Sequence, residues 1–197
     1  MSKVKVGIIG ATGYVGVELI RLLNSHPQVE LTAIGSNSFV DKSITEVYPS
    51  VGITNDMKCI KNEDVIKECD FIFTALPHGV SEKFVLQVVK EGKKVVDLGA
   101  DFRLKDEKLF NKWYNVSFID KNLHEQAVYG LCEHYKDEIK NAQVIANPGC
   151  YVTSISLPLM PLLKAKLIKK ENIIADSKSG VTGAGRGLTL LSHYPEI

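Results

Sequence analysis

The sequence predicts an α/β protein built on a doubly wound parallel sheet, and two features lead to that prediction. Short apolar runs alternate with amphipathic stretches along most of the 197-residue chain. The first run passes through a glycine-rich turn into the first amphipathic stretch, and strand, helix and second strand together occupy about thirty residues, as in a βαβ unit. Such alternation produces a parallel sheet that is covered by helices on both faces.

The elements of the first unit are the most clearly marked. Residues 4–10 form a mostly apolar run that ends in glycine, which is typical of a buried parallel strand. Residues 15–23 carry apolar side chains at helical spacing, and Pro27 ends the predicted helix near His26 because proline cannot continue it. Residues 29–34 are the predicted second strand.

The alternation continues beyond the first unit. Further strands are predicted at residues 70–76, 94–98 and 143–146, with a helix at 82–90. The polar segment 105–121 is predicted to be a surface excursion.

A domain boundary is predicted directly before Cys150. We expect a Rossmann-like domain over residues 1–149 and the beginning of a truncated α+β catalytic and dimerisation domain over residues 150–197. The second region contains one helix-like stretch, a strand at 173–176 and a glycine-rich loop, which are too few elements to bury a core. Pro158 and Pro161 predict a kink or a break in its helix.

Composition limits the classes of partner. The net charge of +1 argues against a nucleic-acid or anionic lipid surface, and no apolar run reaches the ~20 residues of a membrane helix. No targeting segment is visible at the amino terminus. The four cysteines have no metal-ligand spacing, so we expect no metal site, no disulfide framework and a cytoplasmic location. Three of them are predicted to be small buried side chains: Cys59, Cys69 and Cys132.

The glycine-rich turn predicts a dinucleotide site. Its three glycines have the spacing that permits a tight turn, close approach to a pyrophosphate, and close packing of helix on strand. The pyrophosphate is expected on the amide groups at the start of the helix. The candidate cofactor-binding residues of this turn are Gly10, Thr12, Gly13, Tyr14, Val15 and Gly16.

The end of the second predicted strand favours NADP. An NAD site has an acidic residue there, which binds the ribose 2′-hydroxyl. This chain has Gly35-Ser36-Asn37-Ser38 and no carboxylate before Asp41. Ser36 and Asn37 are therefore candidate ligands of a 2′-phosphate. No arginine follows, and Lys42 is the cation that could supply charge.

Cys150 is the predicted nucleophile. It follows Asn147-Pro148-Gly149 in a turn between a strand and a helix, where the helix dipole favours a thiolate. That dipole contributes about 0.3–1 kcal/mol at an exposed site, too little to ionise an ordinary thiol at neutral pH. A general base, usually histidine, is therefore required.

The histidines offer no clear base. His26 is expected at the surface, and His124 and His134 lie in polar sequence and are expected to be exposed to solvent. His78 follows a predicted strand, so its turn is expected to line a nicotinamide pocket.

Six sequence blocks together resemble the N-acetyl-gamma-glutamyl-phosphate reductases of arginine biosynthesis, and they span nearly the whole chain. They are Asn147-Pro148-Gly149-Cys150-Tyr151, the glycine-rich turn at 10–16, Ala75-Leu76-Pro77-His78-Gly79, residues 97–104, Tyr129-Gly130-Leu131 and residues 179–186.

The resemblance implies that Cys150 attacks an acyl phosphate and forms a thioester, which NADPH reduces to N-acetyl-glutamate 5-semialdehyde. It also implies a homo-oligomer, and it assigns Arg103 and Arg186 to the substrate. The further cofactor ligands that it implies are Leu76, Pro77, Ser179 and Gly180.

The sequence departs from the pattern of this family in two respects. Family members run to about 350 residues, and their base histidine lies downstream of the glycine loop. The ending Ser192-His193-Tyr194-Pro195-Glu196 lacks the first His-Arg of that segment, so we assign no base to His193 and expect the chain alone to bind NADP without turnover. Ser154 stands where Ala or Gly is usual.

The alternatives are an aspartyl-phosphate reductase, an aminoadipyl-phosphate reductase, and a non-catalytic NADP-binding fragment. The aspartyl enzymes place Asn before the cysteine, so Gly149 counts against them.

Overall fold

The predicted Rossmann-like architecture is confirmed. The computed structural model describes residues 2–50, 52, 56–187 and 190, and its central feature is a six-stranded sheet in which every pair of neighbouring strands is parallel. The spatial order is β2-β1-β3-β4-β6-β5. The strands are β1 (Val4–Ile9), β2 (Val29–Gly35), β3 (Phe71–Thr74), β4 (Lys94–Asp97), β5 (Val128–Tyr129) and β6 (Val144–Ala146).

Helices connect and cover these strands. The predicted α1 and α4 are confirmed, whereas five further helices that the described residues form between β2 and β6 were not predicted as such. In chain order the helices are α1 (Tyr14–Asn24), α2 (Ile44–Val47), α3 (Asn62–Glu68), α4 (Glu82–Lys90), α5 (Glu107–Tyr114), α6 (Lys121–Gln126), α7 (Lys136–Asn141) and α8 (Cys150–Lys164).

The core has two parts because successive side chains of a strand point to opposite faces. On one face, Ile9 and Ile72 pack with buried side chains of α3, α4 and α6. On the other, Ile8 and Phe73 pack with Ile20 and with the α2 segment. The sheet is therefore buried on both sides, as parallel sheets require.

The loop predictions were partly wrong. Segment 105–121 contains α5, and Phe110 of that helix is fully buried against aromatic neighbours. Helix α8 continues through Pro158 and Pro161, so no break occurs. The strand predicted at 173–176 is absent from the described residues: that segment is irregular and its side chains are exposed.

The order of the sheet reverses between β1 and β3. The chain moves outwards from β1 to β2, then returns to place β3 on the other side of β1. Ligands of doubly wound sheets bind at such a switch point, beyond the carboxyl ends of the strands. The loops that follow β1, β3, β4 and β6 all begin at this edge.

Candidate functional site

The glycine-rich turn has room for a ligand above the start of α1. Gly10 has φ +84°, and a side chain there would lie 2.4 Å from the carbonyl oxygen of Ala75. Gly13 is different, because among the described atoms a Cβ at this position would meet only the Gly10 carbonyl, at 3.7 Å. Gly13 is also the N-cap of α1 and provides no side-chain cap. The open space and uncapped amides fit a pyrophosphate group.

Polar side chains lie beside this turn at the end of β2. The Thr12 and Ser36 hydroxyls form a hydrogen bond of 2.9 Å, and Ser36 is buried. The side-chain amide of Asn62 donates to the Asn37 side chain at 3.0 Å. The structure therefore brings together the residues predicted from two separate segments of the sequence.

The loop after β3 is held by a buried carboxylate. Asp101 Oδ1 accepts the amide of Gly79 at 2.6 Å, and Oδ2 accepts the amides of Ser81 at 3.0 Å and Glu82 at 3.3 Å. Asp101 thereby occupies the amino terminus of α4, where a negative charge is favoured. In the same loop, His78 is exposed and its ring lies against Tyr114, with centroids 5.4 Å apart.

A second buried carboxylate lies at the end of β4. Asp97 Oδ1 accepts the Thr74 hydroxyl at 2.7 Å and the Gly99 amide at 3.1 Å. Within the described part of the chain, its Oδ2 has no well-aligned hydrogen bond, and neither has the buried hydroxyl of neighbouring Ser81. Burial raises the pKa of the Asp97 carboxyl, although its hydrogen bonds act in the opposite direction.

Cys150 lies where the sequence predicts it, as the first residue of α8. Its side chain is exposed, and the N-cap, Gly149, provides no side-chain cap. The Asn147 amide donates to the Asp97 carbonyl at 2.8 Å, which ties the turn to the end of β4. The thiol is therefore presented at the same sheet edge as the glycine-rich turn, beside uncapped helix amides.

Arg103 contacts this turn from the loop after β4. Its Nε donates to the Asn147 carbonyl at 2.8 Å and its Nη2 to the Leu98 carbonyl at 2.9 Å. Its Nη1 faces Gly149, where a Cβ would lie 3.2 Å from it. One edge of the guanidinium thus orders the turn, and Nη1 forms no hydrogen bond within the described part of the chain.

Arg186 lies elsewhere, against the glycine-rich turn. Its Nη1 donates to the Thr12 carbonyl at 3.1 Å. Ser179 and Gly180 precede the short 3₁₀ segment Val181–Ala184, and two residues of that segment face the first turns of α1 across a cavity of about 560 Å³. The lining of the cavity includes Tyr14, Val15, Leu98, Thr182 and Gly183.

The predictions for histidine were wrong in one clear case. His124 is completely buried: its ring stacks on Phe118, with centroids 3.4 Å apart, and its Nε2 lies 3.1 Å from Glu82 Oε1. Burial acts to raise the pKa of Glu82, but the His124 ring and the amides of residues 119 and 120 outweigh it and the net pKa is lowered. The polar sequence around His124 indicated an exposed side chain, so this buried pair was not predicted.

The remaining histidines and cysteines divide as follows. His26 is exposed as predicted, His134 is half-buried with its Nδ1 3.2 Å from Lys164 Nζ, and His193 lies outside the described residues. Cys59 and Cys69 are buried as predicted, but Cys132 is exposed in the loop after β5. Among the described residues, no histidine forms a hydrogen bond with the Cys150 thiol.

The described ranges contain neither a cluster of metal ligands nor a membrane-spanning helix. No cluster of three or more His, Cys, Asp or Glu side chains there could hold a metal ion. None of the helices there is both long enough and apolar enough to cross a membrane.

Comparison with known proteins gives consistent matches. A family model described as "Semialdehyde dehydrogenase, NAD binding domain" matches residues 5–142, and one described as "Semialdehyde dehydrogenase, dimerisation domain" matches residues 150–197. The N-acetyl-gamma-glutamyl-phosphate reductase of Clostridium beijerinckii is 54% identical over 193 residues, which are 98% of this chain and 56% of the relative. That of Pelotomaculum thermopropionicum is 48% identical over 196 residues, again 98% and 56%. The chain thus spans about half the length of the curated relatives it matches.

Solved structures match at the level of the fold. Aspartate semialdehyde dehydrogenase II of Vibrio cholerae, complexed with ASA, has a TM-score of 0.61 at 19% identity, over 84% of this chain and 44% of that one. Aspartate semialdehyde dehydrogenase of Candida albicans, with NADP, has a TM-score of 0.57 at 22% identity, over 83% and 48%.

Proposed function

The chain belongs to the semialdehyde dehydrogenase family, and on that premise we propose that it forms the cofactor-binding and nucleophile-bearing part of an NADPH-dependent N-acetyl-gamma-glutamyl-phosphate reductase. The reaction converts N-acetyl-glutamyl 5-phosphate into the 5-semialdehyde and phosphate. The observation that carries the proposal is the exposed Cys150 thiol at the uncapped start of α8, at the same sheet edge as the glycine-rich turn. The identity of the substrate rests on the relatives, which are about half identical to this chain.

Cys150 is the proposed nucleophile. Its sulfur attacks the acyl carbon, a sulfur–carbon bond forms, and the carbon–oxygen bond to phosphate breaks so that phosphate leaves with the electron pair. The amides of the first turn of α8 have no side-chain cap and can donate to the oxyanion that develops on the carbonyl oxygen. When bound, NADPH supplies the hydride that converts the thioester to the aldehyde.

Arg103 is the proposed substrate-binding arginine of this turn. Two of its nitrogens are engaged by the Asn147 and Leu98 carbonyls, which fixes the plane of the guanidinium. Nη1 faces Gly149, the residue before the nucleophile, and can donate to the phosphate or carboxylate of a substrate. The base that removes the thiol proton stays a prediction: we expect a histidine that is not among the described residues.

The cofactor site is proposed at the switch point of the sheet. The amides of Tyr14, Val15 and Gly16 would hold the pyrophosphate, with Gly10 and Gly13 allowing its approach. The remaining proposed ligands are Thr12, Ser36, Asn37, Leu76, Pro77, Ser179 and Gly180.

The proposed domain boundary falls between Gly149 and Cys150. The last buried apolar residue described is Ala146, whereas α8 has no buried residue. Tyr151 and Val152 are each about half exposed, which leaves an apolar face for further contacts. We infer that residues 150–197 belong to a second domain and that the whole protein is a cytoplasmic homo-oligomer. The native mass of the gene product tests the last inference, and a monomer would contradict it.

The catalytic proposal is tested on the full-length gene product. Phosphate-dependent reduction of NADP with N-acetyl-glutamate 5-semialdehyde is measured for the wild type, for Cys150→Ser and for Cys132→Ser. Cys132 is the matched control because it is also exposed and lies in the neighbouring loop. We expect Cys150→Ser to abolish turnover and Cys132→Ser to retain it.

Two outcomes would overturn the proposal in different ways. Turnover that survives Cys150→Ser excludes the thioester mechanism. Activity with an aspartyl or aminoadipyl aldehyde, and none with N-acetyl-glutamate semialdehyde, moves the assignment to a related enzyme. The 197-residue chain alone is expected to bind NADP without turnover.

A further inference from the structure

The Arg186 guanidinium is fixed in an aromatic setting at the glycine-rich turn. Its central carbon lies 5.1 Å from the ring centroid of Phe39 and 4.7 Å from that of Tyr48, and its Nη1 donates to the Thr12 carbonyl. The Tyr48 hydroxyl donates to the same carbonyl at 2.9 Å. Contacts with aromatic faces orient the guanidinium plane and leave its remaining N–H groups able to donate hydrogen bonds.

These contacts place a cation beside the end of β2. The Ser36 hydroxyl is hydrogen-bonded to the Thr12 hydroxyl, and it also accepts a hydrogen bond from the Phe39 amide at 3.3 Å. Arg186, Phe39, Thr12 and Ser36 therefore belong to one cluster. In dinucleotide-binding folds, the group on the ribose 2′-oxygen lies at the end of the second strand, where a carboxylate selects NAD and an arginine accommodates NADP.

We propose that Arg186 selects NADP over NAD by binding the 2′-phosphate of the adenosine ribose, together with Ser36. The inference rests on the proposed cofactor site, and it gives Arg186 a role different from the substrate contact that the family resemblance suggests. One N–H of the guanidinium is engaged by Thr12, and the others can form the paired hydrogen bonds that a phosphate accepts.

Lys42 is the competing source of positive charge. It also follows β2, but its ammonium group pairs with Glu46 at 3.4 Å and is largely exposed. Arg186 is also exposed, but its guanidinium contacts two aromatic rings and the Thr12 carbonyl. A lysine with an acidic partner offers a weaker and less directed contact than this oriented guanidinium. The two cations therefore make a matched pair for an experiment.

Calorimetric titration of the 197-residue chain with two probes tests the proposal. The probes are ADP-ribose and 2′-phospho-ADP-ribose, which differ only in the 2′-phosphate and lack nicotinamide. We expect the wild type to bind the phosphorylated probe about 10- to 100-fold more tightly. Arg186→Ala should remove most of that preference and leave ADP-ribose affinity within about twofold, Arg186→Lys should keep part of it, and Lys42→Ala should keep all of it.

The possible failures separate this inference from the proposed function. If wild type binds neither probe, the proposed dinucleotide site is wrong and the role of Arg186 falls with it. If both probes bind and Arg186→Ala retains the preference, or Lys42→Ala loses it, the dinucleotide site stands and Arg186 is not its selector. Equal affinity of the wild type for both probes also overturns the inference.

Discussion

Alanine at Gly10 should mainly lower stability, whereas alanine at Gly13 should mainly weaken cofactor binding. The two glycines belong to one turn and the substitution adds the same methyl group. At Gly10 that group would lie 2.4 Å from the Ala75 carbonyl oxygen and 2.9 Å from Leu76 Cδ2, at a φ of +84°. At Gly13 its one near contact in the described part of the protein would be the Gly10 carbonyl at 3.7 Å, at an ordinary φ of −79°.

The expected magnitudes follow from these contacts. Gly10→Ala costs about 1–2 kcal/mol for the left-handed backbone and about 1–3 kcal/mol for overpacking. Reduced entropy of the unfolded chain offsets about 0.4–1 kcal/mol, which leaves a loss of about 1–5 kcal/mol in the free energy of unfolding. At Gly13 the same entropy gain roughly balances the poorer N-cap, so stability should change by less than about 1 kcal/mol.

Cofactor affinity, unlike stability, should fall markedly in Gly13→Ala. Its methyl group would occupy the space in which a pyrophosphate approaches the amides of α1, a steric cost of about 1–3 kcal/mol, or about 5- to 150-fold in dissociation constant. Urea denaturation measures the first quantity and calorimetric titration with NADPH the second. A Gly13→Ala protein that binds NADPH like the wild type, or that unfolds as readily as Gly10→Ala, would refute the assignment of this turn.

Three further predictions concern the buried carboxylates, each measured as the free energy of unfolding by urea. Asp97→Asn keeps the Oδ1 acceptor. Because the pKa of Asp97 is raised in the folded protein, ionisation of this residue lowers the stability of the wild type as pH rises, so the variant should become more stable relative to the wild type from pH ~4 to 7. A stability difference that does not change with pH would contradict this. Glu82→Gln should lose about 1–3 kcal/mol at pH 7. That deficit should shrink as pH falls below ~4, because a lowered pKa gives stability that acid removes. Asp101→Asn should lose about 1–3 kcal/mol by turning a donor towards the amides of α4, whereas exposed Asp137→Asn should change little.

The fold was predictable because its signals are local. The strand and helix of the first unit, and helix α4, follow from apolar spacing over fewer than a dozen residues each. Helix α8 shows the limit of a local rule. Proline removes one helical hydrogen bond and strains the preceding turn, which predicts a break. The remaining bonds nevertheless keep the helix continuous through Pro158 and Pro161.

The placement of the candidate site residues was predictable where one segment contains them, as at Cys150 and the glycine-rich turn. It was not predictable where distant segments meet. Arg186 lies 174 residues from Thr12 in sequence, so the end of β2 looked as if it lacked an arginine. His124 and Glu82 are polar residues on separate helices, and only the packing of α4 against the loop before α6 buries them together. Sequence spacing contains no record of such contacts.

The helices differ in how their amino termini are capped. Side chains of Ser43, Asp106 and Asp120 cap α2, α5 and α6, and α3 and α7 have acidic residues in their first turns. Helices α1 and α8 have neither: each begins after a glycine, without a side-chain cap and without an acidic residue in the first turn.

A glycine N-cap is only a few tenths of a kcal/mol weaker than a serine or aspartate cap, so leaving these two helices uncapped costs little stability. It keeps their first amides available and their positive ends uncompensated. Both helices start at the carboxyl edge of the sheet, one beside the proposed pyrophosphate site and one at Cys150. A pyrophosphate at α1 and a developing oxyanion or phosphate at α8 would each supply the charge that a capping carboxylate supplies elsewhere in this fold.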